Sequence, residues 1–243
     1  MEVLDRQKGI FDAEAFGDTP VHVVGVGGIG SHLALRLIDM RVRHVHVWDG
    51  DVVEAHNVQN QVYTQAQCIG KKKVDALQSL LYKKNGARIE THDEYVSQGA
   101  VLSGVVCLCV DSMETRKVIW QACIRNNPEI FLMIDARMDA SLTTIFTLDP
   151  RDPSHQANWD HFWFPSSEAQ HETMACGSPL AVGPTASRVA DDAMWQLIRY
   201  QARRSGRDVP LYNMMWTDLW SGTSSQESWE NPLNELDDLT TED

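Results

Sequence analysis

Residues 21–30, VHVVGVGGIG, are an apolar, β-branched run that ends in four glycines within six positions. The next ten residues, SHLALRLIDM, place their apolar side chains at helical spacing, and residues 44–50, HVHVWDG, alternate as a second strand. Strand, glycine turn, helix and strand in this order make a βαβ unit. Glycines at such a turn let the backbone approach a phosphate closely, and the helix that follows supplies free N–H groups and the positive end of its dipole. Gly25, Gly27, Gly28 and Gly30 are therefore expected to cradle a nucleotide phosphate. Asp49, nineteen residues after Gly30 at the tip of the second strand, is placed for a ribose hydroxyl. These features indicate an adenine nucleotide and leave ATP and NAD open.

The alternation continues beyond this unit. A helix is expected near 71–84, strands at 88–95 and 105–111, a helix near 113–126, and two strands, 131–138 and 141–149, that are too close together for a helical crossover. The fold class is α/β: a Rossmann-like, doubly wound, mainly parallel sheet with an antiparallel extension, its ligands at the carboxyl ends of the strands. Periodicity is lost between Pro150 and Gly183, which predicts a long crossover loop, and helix resumes at Pro184. His155, His161 and His171 in that loop have no helical ligand spacing and predict no metal site. Residues 1–220 are expected to form one domain. Residues 221–243 are expected to form a flexible acidic tail, because the stretch from Gly222 to Asp243 holds seven acidic residues and no basic one.

Composition sets the outer limits. The chain has 243 residues and a net charge of −13, which disfavours a general nucleic-acid binder. No run approaches the ~18–20 consecutive apolar residues of a membrane span, and the N-terminus lacks a signal-peptide pattern, so a cytoplasmic chain is expected. The five cysteines form no C-x-x-C pair, which predicts neither a disulfide framework nor a zinc site.

Four further features bear on the nucleotide. Residues 51–61, DVVEAHNVQNQ, are too polar for the second helix of an ordinary dehydrogenase. Lys71, Lys72 and Lys73 then crowd the start of the next helix, where the dipole disfavours cations, so a polyphosphate would relieve them. Asp111 ends a strand on the expected ligand side and suits magnesium, although it would equally suit a helix N-cap. Arg116 follows within that helix.

Taken in order, the glycine loop, Asp49, Asp51, Asn57, Gln61, Lys73, Asp111 and Arg116 resemble the ThiF/MoeB/HesA family, the bacterial relatives of ubiquitin-activating enzymes. The resemblance is clear over residues 1–150 and fainter over 176–200. It implies a homodimer that uses ATP and magnesium to adenylate the C-terminal glycine of a ubiquitin-like or sulfur-carrier protein. It further implies that Asp49 meets the ribose, that Asn57 and Lys73 meet the phosphates, that Asp111 helps hold magnesium, and that Arg6 reaches across the dimer to the partner's ATP. Asn60 stands where the family often has arginine, so one phosphate-binding cation is missing and Arg6 or Lys71 would have to substitute.

Cys176, a few residues before the last helix, resembles the catalytic cysteine in the crossover loop of compact activating enzymes. That would pass the acyl group to a thioester and onward, in some pathways, to a conjugating-enzyme-like protein. Cys107, Cys109 and Cys123 are expected to be buried, and Cys68 stays open as an alternative. Two other functions also stay open: an NAD-dependent oxidoreductase and a non-catalytic nucleotide-binding scaffold.

Overall fold

The computed structural model describes residues 7–168 and 179–229. Its strands are β1 (Pro20–Val24), β2 (His44–Trp48), β3 (Glu90–His92), β4 (Gly104–Leu108), β5 (Ile130–Met138), β6 (Leu142–Leu148), β7 (Met214–Asp218) and β8 (Thr223–Glu227). They form one sheet in the order β3-β2-β1-β4-β5-β6-β7-β8. The strands from β3 to β5 pair in parallel, and β5, β6, β7 and β8 pair antiparallel, so the mainly parallel sheet with an antiparallel extension is what the chain forms. The order reverses between β1 and β4, and the crevice at such a switch point is where open α/β sheets take their ligands.

Strand alternation sorts the side chains onto two faces. Val21, Val23, Val45, Val47, Val105, Cys107, Leu132 and Ile134 bury one face beneath α1 (Gly28–Asp39), α2 (Lys73–Asn85) and α5 (Pro179–Arg204). On the opposite face Val106, Leu108, Met133, Phe146 and Leu148 pack against α3 (Met113–Ile119), the helical turn Trp120–Ile124 and α4 (Pro153–His161). Among the described residues no helix is long and apolar enough to cross a membrane.

Three expectations need correction. The irregular stretch 150–183 contains α4, capped by Asp152 with Pro153 at its first turn, and α5 begins at Pro179 with Pro184 inside it. The periodicity of α4 is faint because it buries only Gln156 and Trp159. The acidic stretch does not leave the fold at residue 221: β8 lies within it as an exposed edge strand, and Trp229 is buried against Phe146 and Phe162. Indole burial outweighs the polarity of the residues around it. Finally, the strand expected at 88–95 is paired only over Glu90–His92.

One charge network ties the two halves of the sheet together. Asp135 on β5 has no exposed surface. Its carboxylate accepts from Arg116, from Arg137 at 2.7 and 2.9 Å, and from the Trp159 indole at 2.9 Å. Burial pushes the Asp135 carboxyl up, but the two guanidiniums outweigh it and hold its pKa below the usual range. Arg116 also donates to the carbonyls of Leu108, Val110 and Ala136, and Arg137 to that of Phe162. Asp135→Asn leaves two buried guanidiniums short of a counter-charge, and it should lower unfolding free energy by about 3–5 kcal/mol. Urea denaturation at neutral pH measures this loss. Because the folded-state pKa is depressed, the wild-type advantage should be present at neutral pH and vanish as pH falls through that depressed value.

Candidate nucleotide site

The site is built at the carboxyl ends of β1, β2 and β4. Gly25 follows β1 with a φ of +86°, and a Cβ there would stand 3.1 Å from the Cys109 backbone. Gly30 packs still closer, since a Cβ would lie 1.8 Å from the Gly25 carbonyl oxygen. These two glycines are demanded by the fold itself. Gly28 differs, because its Cβ would meet only ordinary contacts, the nearest at 3.4 Å, and Gly27 has only Gln61 within reach at 3.9 Å. Gly28 thus faces Met138 and Ala186, while Gly27 leaves bare backbone at the start of α1, which fits the approach of a phosphate.

Asp49, almost fully buried, accepts from the Val26 and Asp51 N–H groups, each at 2.9 Å. It thereby fixes the glycine turn, and each carboxylate oxygen keeps a second lone pair for a ligand hydroxyl. Tyr63 supports the same turn by donating to the Val26 carbonyl at 2.8 Å. Lys73 is the first residue of α2 and is buried, with Nζ 2.8 Å from Asp51 and 3.8 Å from Asp49. The unfavourable helix-start position is thus stabilised in this chain by two carboxylates. Lys71 and Lys72 are exposed, and Lys72 pairs with Asp93.

Tyr95 is a site residue that sequence spacing does not reveal. Its hydroxyl donates to Asp51, its ring lies over Gly50, and a Cβ on Gly50 would approach that ring to 2.9 Å. The hydrogen bond to Asp51, reinforced by the charges of Asp51, Asp49 and Asp111, pushes the Tyr95 hydroxyl up to about 12. Burial pushes the Asp51 carboxyl up, yet the bonds from Lys73 and Tyr95 and the charges of Lys73 and Lys72 hold it below the usual range.

Asp111 follows β4 and is exposed. The cap of α3 is Ser112, which accepts from the Thr115 N–H, so Asp111 does not serve as N-cap and makes no ion pair among the described residues. Asn57 accepts from the Glu54 N–H at 2.9 Å and leaves its amide nitrogen free among the described residues. Gln61 and Asn60 each carry a buried amide oxygen with no partner. An unsatisfied buried acceptor costs about 1–3 kcal/mol, a deficit that a ligand donor or a reoriented amide would remove.

Arg116 is not part of this site, since its guanidinium is buried in the Asp135 network. Cys68, Cys107, Cys109 and Cys123 are all buried. Burial raises the thiol pKa of Cys109 to about 12, and it raises those of Cys107 and Cys123 as well. Arg6 and Cys176 lie outside the described residues.

The model of the ThiF family matches residues 9–232. The chain belongs to the ThiF family. It is 30% identical over 141 residues to ubiquitin-like modifier-activating enzyme 5 of Drosophila simulans, covering 51% of this chain and 35% of the relative. It is 25% identical over 180 residues to adenylyltransferase and sulfurtransferase uba4 of Emericella nidulans, covering 69% and 36%. The chain thus spans about a third of the length of these curated relatives. Two solved structures share its fold. The microcin C7 biosynthetic enzyme MccB of E. coli, in complex with N-formylated MccA, has a TM-score of 0.70 at 16% identity, over 91% of this chain and 68% of MccB. PaaA has a TM-score of 0.65 at 19% identity, over 89% and 75%.

The ThiF glycine loop should separate fold from binding. Gly30→Ala should fail to fold, whereas Gly27→Ala should keep its urea midpoint and weaken ATP binding about tenfold or more, as loss of one charge-assisted contact of ~1.5–3 kcal/mol would. Isothermal titration on both variants measures this. Tyr95 should titrate at about 12 in the difference spectrum against Tyr95→Phe, and in Asp51→Asn it should fall toward the ordinary value of about 10.

Proposed function

We propose that this chain adenylates the C-terminal glycine carboxylate of a ubiquitin-like or sulfur-carrier protein. The observation that carries the proposal is the buried Lys73 beside the glycine loop, held by Asp51 and Asp49 in a member of the ThiF family. A carboxylate oxygen of the carrier attacks the α-phosphorus of ATP, the P–O bond to the β-phosphate breaks, and pyrophosphate leaves with the bond's electron pair. The carboxylate is ionised at neutral pH, so no general base is needed. Two anions must instead be brought together, and positioning with charge compensation is the work required of the protein.

Within one chain the described site offers Lys73 and the α1 N–H groups, set against Asp49, Asp51 and Asp111. That balance favours two further positive charges. Asp111, exposed and unpaired, would hold magnesium, which when bound supplies charge neutralisation for the departing pyrophosphate. Arg6 of a second copy would supply the other, which makes a homodimer part of the proposal. Asn57 would donate its free amide N–H2 to the phosphates, Asp49 would accept from the ribose, and Gln61 would complete the cradle beside Gly27.

Cys176 is the proposed thioester nucleophile. Burial of all four described cysteines favours it, because none of them presents its sulfur to a protein substrate. Attack of its thiolate on the acyl-adenylate would release AMP and leave the acyl group on sulfur.

Exchange of labelled pyrophosphate into ATP should require a small glycine-terminated protein. Lys73→Met should slow exchange about 10²–10³-fold, the usual scale for losing one group that stabilises developing charge. Exchange that is unchanged in Lys73→Met, or ATP binding without exchange for any such protein, would sink the assignment. Cys176→Ala should abolish a thiol-reducible adduct and leave exchange intact. An adduct that persists in that variant places the nucleophile elsewhere.

A further inference from the structure

The second strand reads HVHVW, and its alternation sends Val45 and Val47 into the core while His46 and Trp48 face the other way. His22 on β1 is the register partner of His46, and Trp48 is the partner of His92 on β3. On this face α3 and α4 cover the sheet from β4 onward. Over β1, β2 and β3 a cavity of about 800 Å³ opens instead, lined by His22, His46, Trp48 and His92 among others.

Glu90 projects beside the two outer imidazoles. His46 Nδ1 lies 3.3 Å from His92 Nε2 and 3.6 Å from Glu90 Oε2, and all three atoms lie within 4.8 Å of one another. Four ligands at ~2.0–2.1 Å around a tetrahedral ion stand about 3.3 Å apart, so two of these separations already match to within a few tenths of an ångström. The rings are also held in orientation. Trp48 stacks on His92 at 3.6 Å with an interplanar angle of 4°, and its indole N–H donates to His22 at 3.1 Å. His22 in turn stacks on His46 at 4.4 Å, and the His92 carbonyl accepts from the Asp49 N–H at 3.2 Å. These stacking and backbone contacts limit how far the rings can turn.

We propose that His46, Glu90 and His92 form a binding site for a divalent transition-metal ion of the zinc class, with a fourth coordination position open to the cavity. This ligand set lies outside the cysteine-pair pattern sought in the sequence. It is also separate from Asp111, the carboxylate assigned to magnesium. Three protein ligands with one exchangeable position is the arrangement that leaves an ion free to bind water or a small anion from the cavity.

The test uses the full chain after dialysis against a chelator. Titration with Co²⁺ should give one equivalent with the intense visible bands of tetrahedral coordination, and Zn²⁺ should displace it. Glu90→Gln alters an exposed side chain, so it should leave the metal-free melting temperature unchanged and raise the Co²⁺ Kd about tenfold or more. His92→Gln should abolish the tetrahedral bands, and ATP binding to Glu90→Gln should equal that of the wild type. A wild-type chain that takes up no Co²⁺ overturns the proposal. So does uptake whose affinity and spectrum are the same in Glu90→Gln and His92→Gln as in the wild type.

Discussion

A fully buried carboxylate cannot stand alone, and the placement of Asp135 organises the region around it. Its carboxylate is satisfied by three groups from three parts of the chain: Arg116 of α3, Arg137 of its own strand and Trp159 of α4. Each partner brings its element with it. Arg116 also binds the Leu108 and Val110 carbonyls, so the end of β4 is fixed just before Asp111. Arg137 lies 4.4 Å from the centre of the Phe146 ring and holds the Phe162 carbonyl, which secures the segment after α4 against the antiparallel strands. Replacing such a network by apolar groups is often neutral in stability, but removing one member is not. The network therefore acts chiefly as a constraint on arrangement.

That constraint has an electrostatic consequence at the nucleotide site. With Arg116 and Arg137 committed to Asp135, the fold presents three carboxylates and Lys73 around the glycine loop. Lys73 is itself engaged by Asp51, whose side chain is nearly half exposed at 46%. Solvent at that carboxylate screens the pair and lessens what a phosphate must overcome to draw the ammonium away. Asp51 then keeps the Tyr95 hydroxyl as a donor. The carboxylates hold Lys73 beside the glycine loop.

The parallel half of the fold was legible because its determinants are local. Glycines in a turn, alternation in strands and apolar spacing in α1 all operate within a few residues. The antiparallel end was partly legible, since β5 and β6 leave no room for a crossover, but β7 (MMWTD) and β8 (TSSQE) lack a clear strand alternation, and they pair in succession onto the edge that β6 offers. α4 was signalled by Asp152 followed by Pro153, a cap and first-turn pair, although its apolar periodicity is faint. Among site residues, Asp49, Asp51 and Lys73 come together. Arg116 does not join them, because a buried carboxylate 19 residues later in the chain claims it. Tyr95 and the histidine cluster depend on which strands become neighbours, and no spacing along one segment encodes that.

The end of β2 shows how one strand serves two faces. Val45 and Val47 fill the core, while His46 and Trp48 line the cavity on the other side. Past the last paired residue the chain turns, so that Asp49 and Asp51 point to the glycine loop and to Lys73. Gly50 sits between them, and its missing side chain is what allows the Tyr95 ring to lie against the turn. Tyr95 therefore walls the histidine cavity with its ring and reaches the nucleotide site with its hydroxyl. His92 and Asp49 are joined more directly, through the backbone bond from the Asp49 N–H to the His92 carbonyl. A side chain at Gly50 would have to displace Tyr95, and in doing so it would disturb both the cavity wall and the donor that Asp51 relies on.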